Sequence, residues 1–192
     1  MIKYDRNLVI MIMSDILIIF REKIKGLTKS FNYDDMVLDL ITLAYYSLYM
    51  LDSAITSLLD KVLSSVHIIF TKNLIASLMA VCPEISEDEI ELHRNSLGLS
   101  LIEEYDFRTS SWNDAPYIII DKTGADLKSI LATIIHELKH KINILVPRVN
   151  SARKLYYYGL SIRHSDGTIE NNMLDEVLMN IIPAYVLVLL TL

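Results

Sequence analysis

The sequence has one cysteine, Cys82, so no disulfide can form within the chain and a reducing compartment suits it. It has no long basic run and carries a formal charge of -6, which argues against nucleic acid as the main partner. It lacks a convincing targeting signal. The apolar run Leu8–Phe20 follows Lys3 and Arg6, but Asp15 interrupts it and Arg21-Glu22-Lys23 follows without a small-x-small cleavage site. That run reads as a core element. The second apolar stretch, Val177–Leu192, contains Asn180 and Pro183 and is short for a bilayer span. It either packs inside the fold or continues in a longer chain. These absences predict a cytoplasmic protein, with membrane association a less favoured alternative. There is also no internal repeat, low-complexity stretch or flexible linker, so residues 1–192 are expected to form a single domain.

What is present is apolar. Hydrophobic residues make up 52% of the chain and the mean hydropathy is +0.34, enough for a large core with apolar surface to spare. Residues 7–25 predict a buried helix, with a strand as the alternative over Leu8–Met13. A turn follows from Gly26 to Asn32. Asp34 or Asp35 then caps a helix whose spacing continues through Leu51, Ile55, Leu58, Leu59 and Val62. Tyr45, Tyr46 and Tyr49 read as a flank packed on neighbours. Val66–Phe70 has strand composition and Asn73–Ala80 that of a short helix, ended at Cys82-Pro83. His67, in an apolar run, reads as a core histidine before a ligand. Ser86 and Glu89 have capping-box spacing, and the acids from Glu84 to Glu91 suit a solvated first turn. Leu97–Ile102 is a candidate strand, Tyr105–Asp114 a polar loop, and Ala115–Asp121 a strong strand leaving through Lys122-Thr123-Gly124. Arg148, Arg153 and Lys154 read as a solvated loop.

The distinctive stretch is Ile134-Ile135-His136-Glu137-Leu138-Lys139-His140, in a helix capped by Asp126 and expected to end near Leu145, before Pro147. Leu127, Ile130, Leu131, Ile134, Ile135, Leu138 and Ile142 form its predicted buried stripe, with Thr133, His136, Glu137 and His140 to one side. Residues four apart sit one turn above each other, so His136 and His140 can face one point and hold a Zn²⁺, while Glu137 reaches a water on it. With five histidines in 192 residues, this arrangement is expected in fewer than about one in a hundred shuffled chains. With one cysteine, such a metal must be held by histidines and carboxylates.

His136-Glu137-x-x-His140, following a branched strand, resembles the zincin metallopeptidases over roughly residues 115–186; residues 1–114 carry no such signal. The resemblance implies an α+β, mainly helical domain with a small sheet beside the motif helix, and an edge strand before that helix that binds substrate backbone. It implies His136 and His140 as zinc ligands, Glu137 as general base, and a peptide or protein substrate. Asn143 and Val146 stand where the metzincin extension needs Gly and His, excluding that subclass. Leu174-Asp175-Glu176 resembles the ligand helix of the gluzincins, with Asp175 in place of Asn and no small residue after Glu176. Together with Gly159-Leu160 it also resembles small bacterial zincin domains. Glu176 is thereby the expected third ligand, with His164, Glu170 and Asp175 as rivals and Asp175 also a candidate acceptor for a ligand imidazole. Tyr156, Tyr157, Tyr158, Arg163 and His164 are candidates for an oxyanion donor. The expected activity is a zinc-dependent peptidase; the alternatives are a regulatory or toxin-type zincin with one protein target, or an inactive structural zinc protein.

Overall fold

Polar side chains at the ends of apolar stretches determine where the helices start and stop. The computed structural model describes residues 6–101, 105–106, 111–112, 116–144, 148–150, 155–158, 161–164, 169–170, 173, 177 and 180–181. The chain divides into two compact units, Met1–Ser64 and Ser65–Leu192.

In the first unit, α1 (Arg6–Leu27) packs on α2 (Asp35–Leu51), and α3 (Thr56–Ser65) follows a 3-10 turn at Ser53–Ile55. Asp34 caps α2 by accepting a hydrogen bond from the Val37 N–H at 2.8 Å. The helical spacing expected to run on to Val62 is broken at Asp52. Its carboxylate accepts from the Ala54 N–H at 3.0 Å, a local bond that competes with helix continuation. The tyrosine flank packs as expected: Phe20 meets the rings of Tyr45, Tyr46 and Tyr49 at 5.2–5.6 Å. Tyr45 is fully buried, so its hydroxyl needs partners. It accepts from Lys23 Nζ at 2.6 Å and donates to Asp60 at 2.7 Å, while Lys23 and Asp60 pair at 2.8 Å.

The second unit is built on β1 (His67–Thr71), β2 (Gly98–Ser100) and β5 (Tyr117–Asp121), in the order β1-β5-β2. β5 runs parallel to β1, from His67 opposite Tyr117 to Thr71 opposite Asp121, and antiparallel to β2, with Gly98 opposite Ile120. Ile118, Ile119 and Ile120 are fully buried, as a middle strand covered on both faces requires. Each such side chain contributes about 1.5–3 kcal/mol. On one face α4 (Leu74–Val81), capped by Asn73, places Leu74 and Leu78 against Ile119, with Leu99 and Leu101 beside them. α6 (Leu127–Ile144) lies on the other. α5 (Glu87–His93) begins with the expected capping box, its three first-turn acids exposed. The fold is α+β and mainly helical, with this small sheet beside the motif helix.

Two segments differ from the sequence reading. Within Tyr105–Asp114, β3 (Tyr105–Asp106) and β4 (Ser111–Trp112) pair antiparallel rather than forming only a polar loop. After α6, β6 (Arg148–Asn150), β7 (Leu155–Tyr158), β8 (Ser161–His164) and β9 (Ile169–Glu170) form a four-stranded antiparallel sheet. Arg148 is therefore a strand residue; Arg153 and Lys154 lie outside the described residues. Among the described residues no helix is long and apolar enough to cross a membrane.

Candidate metal centre

The turn from β5 into α6 aims the motif. Gly124 takes a left-handed conformation (φ 68°), which favours glycine. Asp121 accepts from the Thr123 N–H at 2.7 Å, and the Thr123 hydroxyl donates to the Lys72 carbonyl at 2.8 Å. Asp126 then caps α6, accepting from the Ser129 N–H at 2.7 Å; that bond holds its carboxyl below the ordinary Asp value, so the helix start carries a negative charge. Ile130, Leu131, Ile134, Ile135, Leu138 and Ile142 are buried as the spacing predicts. Leu127 is 62% exposed: as the first residue of the helix, it misses the sheet.

One turn apart, the two motif histidines converge. His136 Nε2 and His140 Nε2 stand 2.9 Å from each other, with ring centroids 4.6 Å apart and planes at 71°. Two nitrogens each 2.0–2.1 Å from one tetrahedral Zn²⁺ are about 3.3 Å apart, so the pair fits the ion after parting by a few tenths of an ångström. Glu137 and His140 are 5% and 7% exposed, and His136 is half-buried. The two imidazoles, with the carboxylate between them in sequence, offer donors of the type zinc takes.

β2 lies directly over this part of the helix. A Cβ built on Gly98 would stand 2.3 Å from Thr133 Cγ2 and 3.0 Å from both Cγ and Oε1 of Glu137, so strand and helix approach as closely as only glycine permits. Three residues on, the buried Lys141 ammonium donates to the Leu101 carbonyl. β2 therefore follows the line Thr133–Glu137–Lys141. At 100° per residue, Ile134 and Leu138 take one flank of that line and His136 and His140 the other. The apolar flank faces β5, which puts the histidines toward the outer edge of β2.

The edge strand itself is a correction. The strand before the motif helix, β5, is paired on both sides and has no edge to offer; among the described strands the edge next to the motif belongs to β2. The Leu97 carbonyl accepts from the Asp121 N–H at 2.8 Å and the Leu101 N–H donates to the Tyr117 carbonyl at 3.1 Å. By antiparallel alternation the N–H and C=O of Gly98 and Ser100 then point outward. Sequence reasoning passed over Gly98, Ser100 and Lys141; a glycine inside a strand pattern was the available signal for close approach.

The remaining expected residues are on the later strands or outside the described residues. Glu176 and Asp175 lie outside the described residues, although Met173, Val177, Asn180 and Ile181 around them are helical. Tyr156, Tyr157 and Tyr158 are on β7, Arg163 and His164 on β8, and Glu170 on β9; Tyr156 is opposite Arg163 and Leu155 opposite His164. Among the described residues no three His, Cys, Asp or Glu side chains are grouped to hold a metal ion. His67 belongs to the sheet, its ring 6.3 Å from that of Tyr117, and burial lowers its pKa. Comparisons with family models, curated proteins and solved structures gave no match to this chain.

Proposed function

We propose that the protein is a zinc-dependent peptidase of the gluzincin type, with His136 and His140 as ligands, Glu176 as third ligand and Glu137 as general base. The convergence of the two imidazole Nε2 atoms to 2.9 Å beside a buried carboxylate carries this reading. A Zn²⁺ held there supplies Lewis acidity and brings the pKa of its water toward neutrality. The side-chain roles follow from position. The histidines present Nε2 lone pairs to the ion. Glu137 accepts the water's proton at its carboxylate and returns it to the leaving amine. The outward N–H and C=O of Gly98 and Ser100 can bind an extended peptide as an added strand, fixing its backbone alongside Glu137. The free thiol of Cys82 suits the cytoplasmic setting included in the proposal.

The deep burial of Glu137 and His140 favours a second reading, in which the metal ties elements together without turnover. Elemental analysis tests the zinc site that the two readings share. About one zinc per chain, lost in His140→Ala and Glu176→Ala, is expected. Glu137→Gln should keep the metal and lose cleavage of a mixed peptide library. No zinc after reconstitution refutes both readings; a chain that binds zinc and unfolds on chelation, with no cleavage to lose, is the structural protein.

A further inference from the structure

A hydroxyl beside this centre has no assigned work. Ser100 is 7% exposed, and its Oγ has no hydrogen-bond partner among the described residues. Buried polar groups are bonded as a rule, and one left without a partner is destabilising, so such a group calls for a reason. Its position supplies one. Side chains two apart on a strand share a face, and Gly98, two residues earlier, faces Thr133 and Glu137. Ser100 therefore points to α6, between the level of Gly98 and that of Leu101, where Lys141 is bound. Across this face stand a buried carboxylate and a buried ammonium already directed at the Leu101 carbonyl. A hydroxyl facing a carboxylate forms a strong, charge-assisted bond by donating to it.

We propose that Ser100 is a positioning residue of the centre, whose hydroxyl donates to the Glu137 carboxylate once zinc is bound. The proposal rests on the zinc reading above. It adds the residue that holds the general base in place. One carboxylate oxygen then faces the water while the other is held from β2, the same strand that presents its edge to a peptide. On this proposal the hydroxyl gains that bond only on loading, which stabilises the strand.

The test compares Ser100→Ala with the unaltered protein, metal-free and zinc-loaded, by thermal unfolding. Removing a hydroxyl without a partner raises the metal-free Tm by about 2–4 °C, and removing the bond to Glu137 lowers the zinc-loaded Tm by a similar amount. Zinc content stays at that of the unaltered protein, Ser100→Thr restores the loaded Tm, and in a Glu137→Ala background the loaded decrease disappears. A fall in the metal-free Tm, or no change of sign on loading, overturns the proposal while leaving the zinc site standing. Failure of the unaltered protein to bind zinc removes both.

Discussion

Replacing Gly98 with alanine tests whether the close approach of β2 to α6 sets the geometry of the centre. The added methyl carbon would stand 2.3 Å from Thr133 Cγ2 and 3.0 Å from Glu137 Cγ and Oε1. Ordinary carbon contacts are about 3.5–4.0 Å, so strand and helix must part by roughly an ångström or the side chains must leave their rotamers. Overpacking of this kind costs about 1–3 kcal/mol, a drop in Tm of roughly 2–12 °C for a chain of this length. The two clashes can be separated. Thr133→Ser removes Cγ2 and with it the 2.3 Å contact, but leaves both 3.0 Å contacts with Glu137. The double variant should thus recover most of the lost Tm. With Glu137 in the general-base role proposed above, peptide hydrolysis should stay low, since a displacement of about 1 Å in such a group can cost 10²-fold in rate. The assays are thermal unfolding, zinc content and cleavage of a peptide library. An unchanged Tm in Gly98→Ala would refute the close approach; a double variant that recovers both stability and hydrolysis would refute the placement of Glu137 against β2.

In the first unit, Tyr45→Phe removes a buried hydroxyl bonded to both Lys23 and Asp60 and should cost about 1–3 kcal/mol in urea unfolding, with the Lys23–Asp60 pair surviving; a neutral result would show that the hydroxyl adds nothing to that pair. Burial lowers the His67 pKa, so the unfolded chain takes its proton at higher pH than the folded one. The stability this neutral ring contributes is present above about pH 6.5 and is lost as pH falls through the lower folded value. His67→Gln should therefore flatten the decline in stability below pH 6.5; an unchanged slope would show that other groups cause it. His93, lowered by burial with a partial offset from the nearby Glu89 charge, adds a decline of the same sign that the variant leaves in place.

Much of the helical part was legible because it is local. The N-cap aspartates Asp34 and Asp126, the Ser86–Glu89 capping box and the break at Cys82-Pro83 act within one turn of chain, and all lie where the residue types indicate. Likewise, the one-turn spacing of His136 and His140 puts both rings on one face of the helix, where their Nε2 atoms stand 2.9 Å apart. The helical spacing expected to continue from Leu51 to Val62 is interrupted because Asp52 makes a local side-chain bond to the Ala54 N–H that competes with the helix. The strands after α6 were missed because Tyr156–Tyr158 and Ser161–His164 show no clean alternation, and their pairing satisfies backbone groups rather than an apolar pattern.

The sequence by itself determined the helix ends, the α+β composition and a pair of histidines able to share an ion. Only the tertiary structure decided that the strand before the motif is the middle one, that Gly98 touches Glu137 across 39 residues of chain, and that Ser100 and Lys141 belong beside it. The reason is the range of the forces involved. A helical turn is closed by hydrogen bonds four residues long, which residue type reports directly. The order of strands in a sheet depends on which distant segments pair, as His67 does with Tyr117, and an apolar strand carries the same composition whether it ends in the middle or at the edge.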